Sequence, residues 1–141
     1  MVQDIIPATI LHQQAEEITR LIRYGTPYLR KDSFEYRHLW RDADPLHIVE
    51  ILDATNTTDA VITRLLDCAG KVLRNHRLMP IGSNEQSFTI DSLGKCVHFE
   101  LAVTAPVKEV CRMNFELADM VARDIEKIPD GFHVSFKWAG Q

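Results

Sequence analysis

The first half of the chain carries apolar residues at helical spacing. Isoleucine, leucine and valine recur every three or four positions from Ile10 to Ile22, from Leu46 to Leu52 and from Val61 to Leu73. Turn-forming residues separate these stretches, beginning with Gly25-Thr26-Pro27. We therefore expect about three helices within residues 1–80.

In the second half the period changes to two, which is typical of strands with one buried face. Phe88 to Ile90 begin such an alternation, and Asp91 to Gly94 have the composition of a hairpin turn. Val97 to Val103 alternate again, with His98 and Glu100 on the polar side. A long apolar stripe from Pro106 to Lys127 predicts a helix, and Phe132 to Trp138 predict a last strand.

The order of these elements fixes much of the expected topology. A helix of about 22 residues is roughly 33 Å long, so the chain leaves it at the far end of the sheet. The last strand should then run parallel to the preceding strand through a right-handed crossover. The N-terminal helices pack either on the other sheet face or beside this crossover helix. The expected fold is α+β and a single domain over 1–141, with a helical section in 1–80 and a β-β-α-β mixed sheet in 81–141.

Composition indicates an ordinary globular chain. The 141 residues are 45% hydrophobic and 26% charged, with a formal net charge of −4, so general nucleic-acid binding is disfavoured because it needs a basic excess. Cys68, Cys96 and Cys111 show no metal or redox spacing and are expected to be buried free thiols. No apolar run is long enough for a membrane span. We expect a soluble, cytoplasmic protein.

The densest group of polar and aromatic residues lies between Tyr28 and His47. If residues 33–43 are helical, Glu35, His38 and Asp42 share one face, which is a weak indication of a metal site or an oriented base. The same segment also combines arginine with aromatic rings, as interface hot spots do. We predict a partner-binding surface here, made of Tyr36, Arg37, Trp40 and Arg41.

A second group lies on the polar face of the predicted sheet. His98 and His133 point away from the apolar face, with Glu100 near them, and this trio is a possible ligand site. Two imidazoles on neighbouring strands lie within reach of one phosphate group. His133-Val134-Ser135 fits half of a paired His-x-Ser/Thr motif of phosphoesterases, whereas His98-Phe99-Glu100 does not fit the other half.

Two further features have structural as well as functional interpretations. Lys71, Arg74, His76 and Arg77 are potential cations that could contact phosphate or an acidic partner. They lie near a helix C-terminus, where the helix dipole favours cations without any ligand. Asn114 lies near the apolar stripe of the long helix, so its amide needs a backbone group or another subunit as partner. Met113 and Met120 widen that stripe, which predicts that the N-terminal helices or a partner chain cover it.

Phosphate loops, dinucleotide fingerprints and hydrolase elbows are absent from the sequence. The sequence therefore favours a non-catalytic protein–protein interaction or assembly subunit, such as an adaptor, an inhibitor or a secretion or virion assembly component. Its partner would be another protein or a second copy in a homo-oligomer. The alternative is a small-molecule or phosphate-ester binding protein or hydrolase that uses His98 and His133. We predict no catalytic residue, metal or cofactor.

Overall fold

A computed structural model describes part of the chain: residues 15, 16, 18–20, 22, 23, 45–78 and 87–139. The described residues between 15 and 23 are helical. Six further elements follow in chain order: α1 (Pro45–Ala54), α2 (Asp59–Asn75), β1 (Ser87–Leu93), β2 (Cys96–Val103), α3 (Val107–Asp124) and β3 (Phe132–Trp138).

The three strands form one mixed sheet in the order β1-β2-β3. β1 and β2 are antiparallel, with Leu93 opposite Cys96. β2 and β3 are parallel, and their register runs from Val97 opposite Phe132 to Val103 opposite Trp138. The predicted α+β class and the strand-strand-helix-strand order are confirmed.

The hairpin between β1 and β2 turns later than the sequence predicted. The strand continues through Leu93, and the turn is made by Gly94 and Lys95 rather than by residues 91–94. Gly94 has φ = 62°, which a type II′ turn requires at its first central position and which glycine adopts most readily. The polar residues Asp91 and Ser92 belong to the strand, because a sheet edge in contact with water accepts polar side chains.

All described helices contribute to one core on the apolar side of the sheet. The buried residues of β2 and β3 form the sheet side of this core, and α2 packs against both α3 and β3. α2 begins at the cap residue Thr58, whose hydroxyl accepts a hydrogen bond from the Val61 amide at 3.3 Å. Of the two packing arrangements left open by the sequence, the helices use the one beside the crossover helix.

α2 also explains the wide apolar arc of α3. Met113 is fully buried and Met120 packs at the margin of the core. His76 and Asn75, at the end of α2, contact glutamates of α3. The covering of α3 thus comes from the chain's own helix, which is one of the two alternatives that the sequence left open.

The opposite face of the sheet remains open to water over the described residues. Along β2 every second residue is buried, whereas those between, including His98 and Glu100, stay partly exposed. On β3 His133 and Lys137 are exposed and Ser135 is half-buried. The described structure is therefore a two-layer arrangement, with helices on one side and a polar sheet face on the other.

The turn between α1 and α2 holds two distant parts of the chain. Arg23 donates hydrogen bonds to Asp53 and Asp59 at 2.7 and 2.8 Å, and also to the Thr57 carbonyl. Gly131 lies against the same turn so closely that an added Cβ would be 1.9 Å from the Thr55 hydroxyl oxygen. This contact fixes where β3 begins.

Three details differ from the expectations. Cys68 is buried, but Cys96 is half-buried and Cys111 is exposed, because Cys111 lies at the border of the apolar stripe. Trp138 is 54% exposed although it continues the apolar alternation, since it is the last residue of an edge strand. α3 ends at Asp124 rather than near Lys127.

Over the described residues, no helix combines the length and apolarity needed to cross a membrane.

Candidate functional site

The sheet register brings the two histidines of the polar face together. His98 of β2 is the direct cross-strand partner of His133 on β3. Their rings meet edge to face, with centroids 5.5 Å apart and planes inclined by 67°. Glu100 lies opposite Ser135 in the adjacent row, and Asp91 lies opposite His98 on the other side. The row Asp91-His98-His133 therefore crosses the whole sheet.

A cleft of about 720 Å³ opens beside this histidine pair and extends around the free edge of β3 to α3. His98, His133 and Ser135 supply its polar side. The opposite wall is apolar and comes from α3, from the segment that precedes β3 and from the start of β3, through Leu117, Val121, Ile128 and Phe132. Ile128 is 52% exposed, so this wall presents apolar surface to water.

Asn114 fixes the distance between α3 and the edge of β3. Its side-chain amide donates to the Phe136 carbonyl at 2.9 Å, and its carbonyl oxygen accepts from the Phe136 amide at 2.9 Å. The amide thus pairs with the strand edge as a neighbouring strand would. Of the two partners that the sequence left open for Asn114, a backbone group or another subunit, the structure shows the backbone group.

The surroundings of His133 disfavour its charged form. Burial lowers the pKa of His133, and the nearby His98 lowers it further, whereas Glu100 acts in the opposite direction. A neutral imidazole has one hydrogen-bond donor and one acceptor. Among the described residues, neither ring forms a hydrogen bond with a carboxylate, hydroxyl or thiol group, and both rings line the cleft.

Cys96 is a further polar group in the cleft. Burial raises the pKa of its thiol, and the negative charge of Asp130 raises it further. The thiol is therefore protonated at neutral pH and is a poor nucleophile. Its Sγ lies 3.6 Å from the Val97 carbonyl oxygen, which is a weak contact.

His76, one of the cations predicted at the end of α2, makes structural contacts in this fold. The His76 ring is held between Glu109 and Glu116 of α3, with nitrogen–oxygen distances of 2.9 and 2.8 Å. Asn75 donates to the second oxygen of Glu116 at 2.8 Å. The helical spacing of the two glutamates is the sequence signal for this clamp, but nothing in the sequence shows that α2 ends opposite them.

Not every candidate residue lies in the described part of the chain. The predicted partner surface of Tyr36, Arg37, Trp40 and Arg41 lies outside the described residues, as do Glu35, His38 and Asp42. Within the described ranges, no group of three or more histidine, cysteine, aspartate or glutamate side chains is arranged to hold a metal ion. The cleft beside the histidines is thus the candidate site with a defined geometry.

Sequence reasoning found the histidine pair but missed the cleft's apolar wall. In the sequence, Pro129, Asp130 and Gly131 indicate only the end of the long helix, and the position of Ile128 against α3 depends on how that helix packs. Comparison with protein-family models, curated proteins and solved structures finds no match to this chain. The function is therefore inferred from the contacts of the cleft.

Proposed function

We propose that the chain binds a small molecule, without covalent chemistry, in the cleft beside His98 and His133. The observation that carries the proposal is a cleft of about 720 Å³ in which His98 and His133 face an apolar wall. Ligand sites are typically concave and mostly apolar, about 300–1,000 Å³ in volume, with a few polar groups that fix orientation. The cleft has each of these properties.

Binding without catalysis fits the chemistry of the polar groups. A nucleophile needs an adjacent base, and that base needs a third group to orient it. Over the described residues, Ser135 makes no hydrogen bond to either imidazole, and the raised pKa of Cys96 keeps its thiol protonated. The histidines therefore act as hydrogen-bonding groups in this proposal.

The test is to fill the cleft without disturbing the core. Ala118 is an exposed residue of α3 that lines the cleft, so Ala118→Trp places a large ring inside it. Ala122 is exposed on the same helix outside the cleft lining, which makes Ala122→Trp the matched control. Both variants should fold as the unsubstituted chain does.

A fragment library screened by protein-observed NMR gives the readout. We expect fragments to shift the signals of His98, His133 and Val134 in the unsubstituted protein and in Ala122→Trp. In Ala118→Trp those shifts should be lost. Fragment binding that is equal in both variants, or that avoids the cleft altogether, contradicts the proposal.

The second candidate is the function that the sequence favours, a non-catalytic interaction or assembly subunit. Phe115 supports it, because this aromatic ring is 79% exposed on α3 and aromatic side chains are frequent anchors of protein interfaces. Phe115→Ser should then abolish self-association or partner binding in sedimentation experiments.

The triple substitution Arg37→Ala, Trp40→Ala and Arg41→Ala tests the partner-binding surface that the sequence predicts. Unchanged association in both variants would exclude this function.

A further inference from the structure

We infer that the ligand of the cleft is an uncharged molecule with an apolar body and a carboxamide-like edge, and not a phosphate ester. This inference rests on the proposed function and names the chemical class that the same site selects. Two independent features of the cleft carry it: the charges around it and the backbone edge of β3 at Val134, with which no described residue pairs.

The charges around the cleft do not favour an anion. Among the described residues that line it there is no lysine or arginine, and the carboxylate of Asp130 belongs to the lining. Glu100 adds a second negative charge close enough to act on His133. Lys137 is on the same sheet face but does not line the cleft. A phosphate dianion placed here would lose its hydration without a compensating cation.

The backbone at the edge of β3 offers a hydrogen-bond donor and an acceptor side by side, which suits an uncharged amide. In a parallel strand, each residue directs its N–H and its C=O to the same side, and successive residues alternate between the two sides of the strand. The carbonyl of Gly131 and the amide of Ala139 bond to β2, so the residues at even positions direct their N–H and C=O to the free edge. Phe136 uses these groups to bind Asn114. Val134 is in the equivalent position two residues earlier, and it lines the cleft.

The contact of Asn114 thus shows how this edge binds a carboxamide. No described residue pairs with the outward N–H and C=O of Val134, so a ligand amide can make the same two hydrogen bonds there. A longer partner strand fits less well, because the Asn114 side chain already occupies the edge at Phe136. The apolar body of the ligand would lie against Leu117, Val121 and Ile128.

Three naphthalene derivatives with one ring system test this inference at pH 7.5. They are 2-naphthamide, N,N-dimethyl-2-naphthamide, which lacks the amide donors, and 2-naphthyl phosphate. Titrations followed by calorimetry and by the Val134 amide signal should give the tightest binding for 2-naphthamide. Loss of the donor should weaken binding by about tenfold, as expected for one hydrogen bond, and the phosphate should bind more weakly still. The Ala118→Trp variant should bind none of them.

The outcomes separate this inference from the proposed function. If 2-naphthyl phosphate binds as tightly as 2-naphthamide, and Ala118→Trp abolishes both, the ligand class is wrong while the cleft remains the site. Equal affinity of 2-naphthamide and its dimethyl derivative also overturns the carboxamide edge. If none of the compounds binds, or Ala118→Trp binds them normally, the proposed function fails as well. An alternating Thr-Val peptide that displaces 2-naphthamide would assign the edge to a partner strand and overturn the small-molecule assignment.

Discussion

His76 is the described residue whose charge matters most directly to stability. Burial alone would lower the pKa of His76, but hydrogen bonds to Glu116 and Glu109 and their negative charges raise it overall. For Glu116, burial opposes the hydrogen bonds from Asn75 and His76, and the net effect lowers its pKa. The imidazole is only 18% exposed, so water screens these interactions incompletely.

The His76 clamp predicts a pH-dependent stability. Its contribution is complete below the ordinary histidine value of 6.5 and is lost as pH rises through the raised pKa of the folded state. The contribution of Glu116 is present above its ordinary value of 4.5 and is lost on acidification through its lowered pKa. His76→Gln should therefore lower the free energy of unfolding by about 1 kcal/mol more at pH 5.5 than at pH 8.5, as measured by urea unfolding.

His47 offers a matched control for this measurement. It lies 3.7 Å from Glu50 and is 53% exposed, so solvent screening leaves it little effect on stability. His47→Gln should leave the free energy of unfolding nearly unchanged, because a largely exposed ion pair contributes little. A His76→Gln effect that is independent of pH would show that the imidazole is not charged in the clamp.

Gly131 provides a second prediction at the residue scale. A Cβ there would lie 1.9 Å from Thr55 Oγ1 and 2.8 Å from Thr57 Oγ1. Because the α1–α2 turn must move, Gly131→Ala should destabilise the fold by about 2–3 kcal/mol. Gly94→Ala is the control, since its Cβ meets no atom within 4 Å and only the positive φ of 62° opposes it, at a cost of about 1 kcal/mol. Equal thermal unfolding midpoints for the two variants would contradict the close packing of Gly131.

At the scale of elements, α3 is attached to the sheet by a polar contact as well as by the core. Asn114→Ala leaves the outward amide and carbonyl of Phe136 without their partner. We expect a loss of about 1–3 kcal/mol in stability and faster hydrogen exchange at the Phe136 amide. Asp119→Ala is the control on the same helix, because its ion pair with Arg123 is largely exposed. Unchanged exchange at Phe136 in Asn114→Ala would refute this role.

The sequence predicted the elements whose periodicity reflects a single buried face. The alternation from Val97 to Val103 fixes which side of β2 is buried, and it therefore placed His98 and His133 together on the polar face. The hairpin turn was misplaced because Asp91 and Ser92 have turn composition but lie near the end of an edge strand. Local pattern cannot distinguish an exposed strand end from a turn.

The contacts between helices and strands could not be predicted from the pattern of apolar and polar residues. The position of Ile128 against α3, and that of Glu109 and Glu116 around His76, depend on how the helices pack on the sheet. Asn114 is an intermediate case. Its amide next to an apolar stripe indicated that it needs hydrogen-bond partners, but only the fold shows that these are the backbone groups of Phe136 at the edge of β3.

For the whole molecule, the division between the two sheet faces is the feature that produces a site. The helices that the structure describes contribute to the core on the apolar face, so the polar face with its histidine pair stays accessible. The cleft lies where this polar face meets the apolar flank of α3. A ligand bound there would cover apolar surface and satisfy polar edges in the same step.

Native mass spectrometry tests this account most directly. The unsubstituted protein, Ala118→Trp and Ala122→Trp would be expressed in the native host, purified gently and compared. We predict that the unsubstituted chain and Ala122→Trp carry the same small added mass, which unfolding releases, whereas Ala118→Trp is bare. Identical spectra for all three proteins, whether bare or loaded, would contradict a ligand site in the cleft beside His98 and His133.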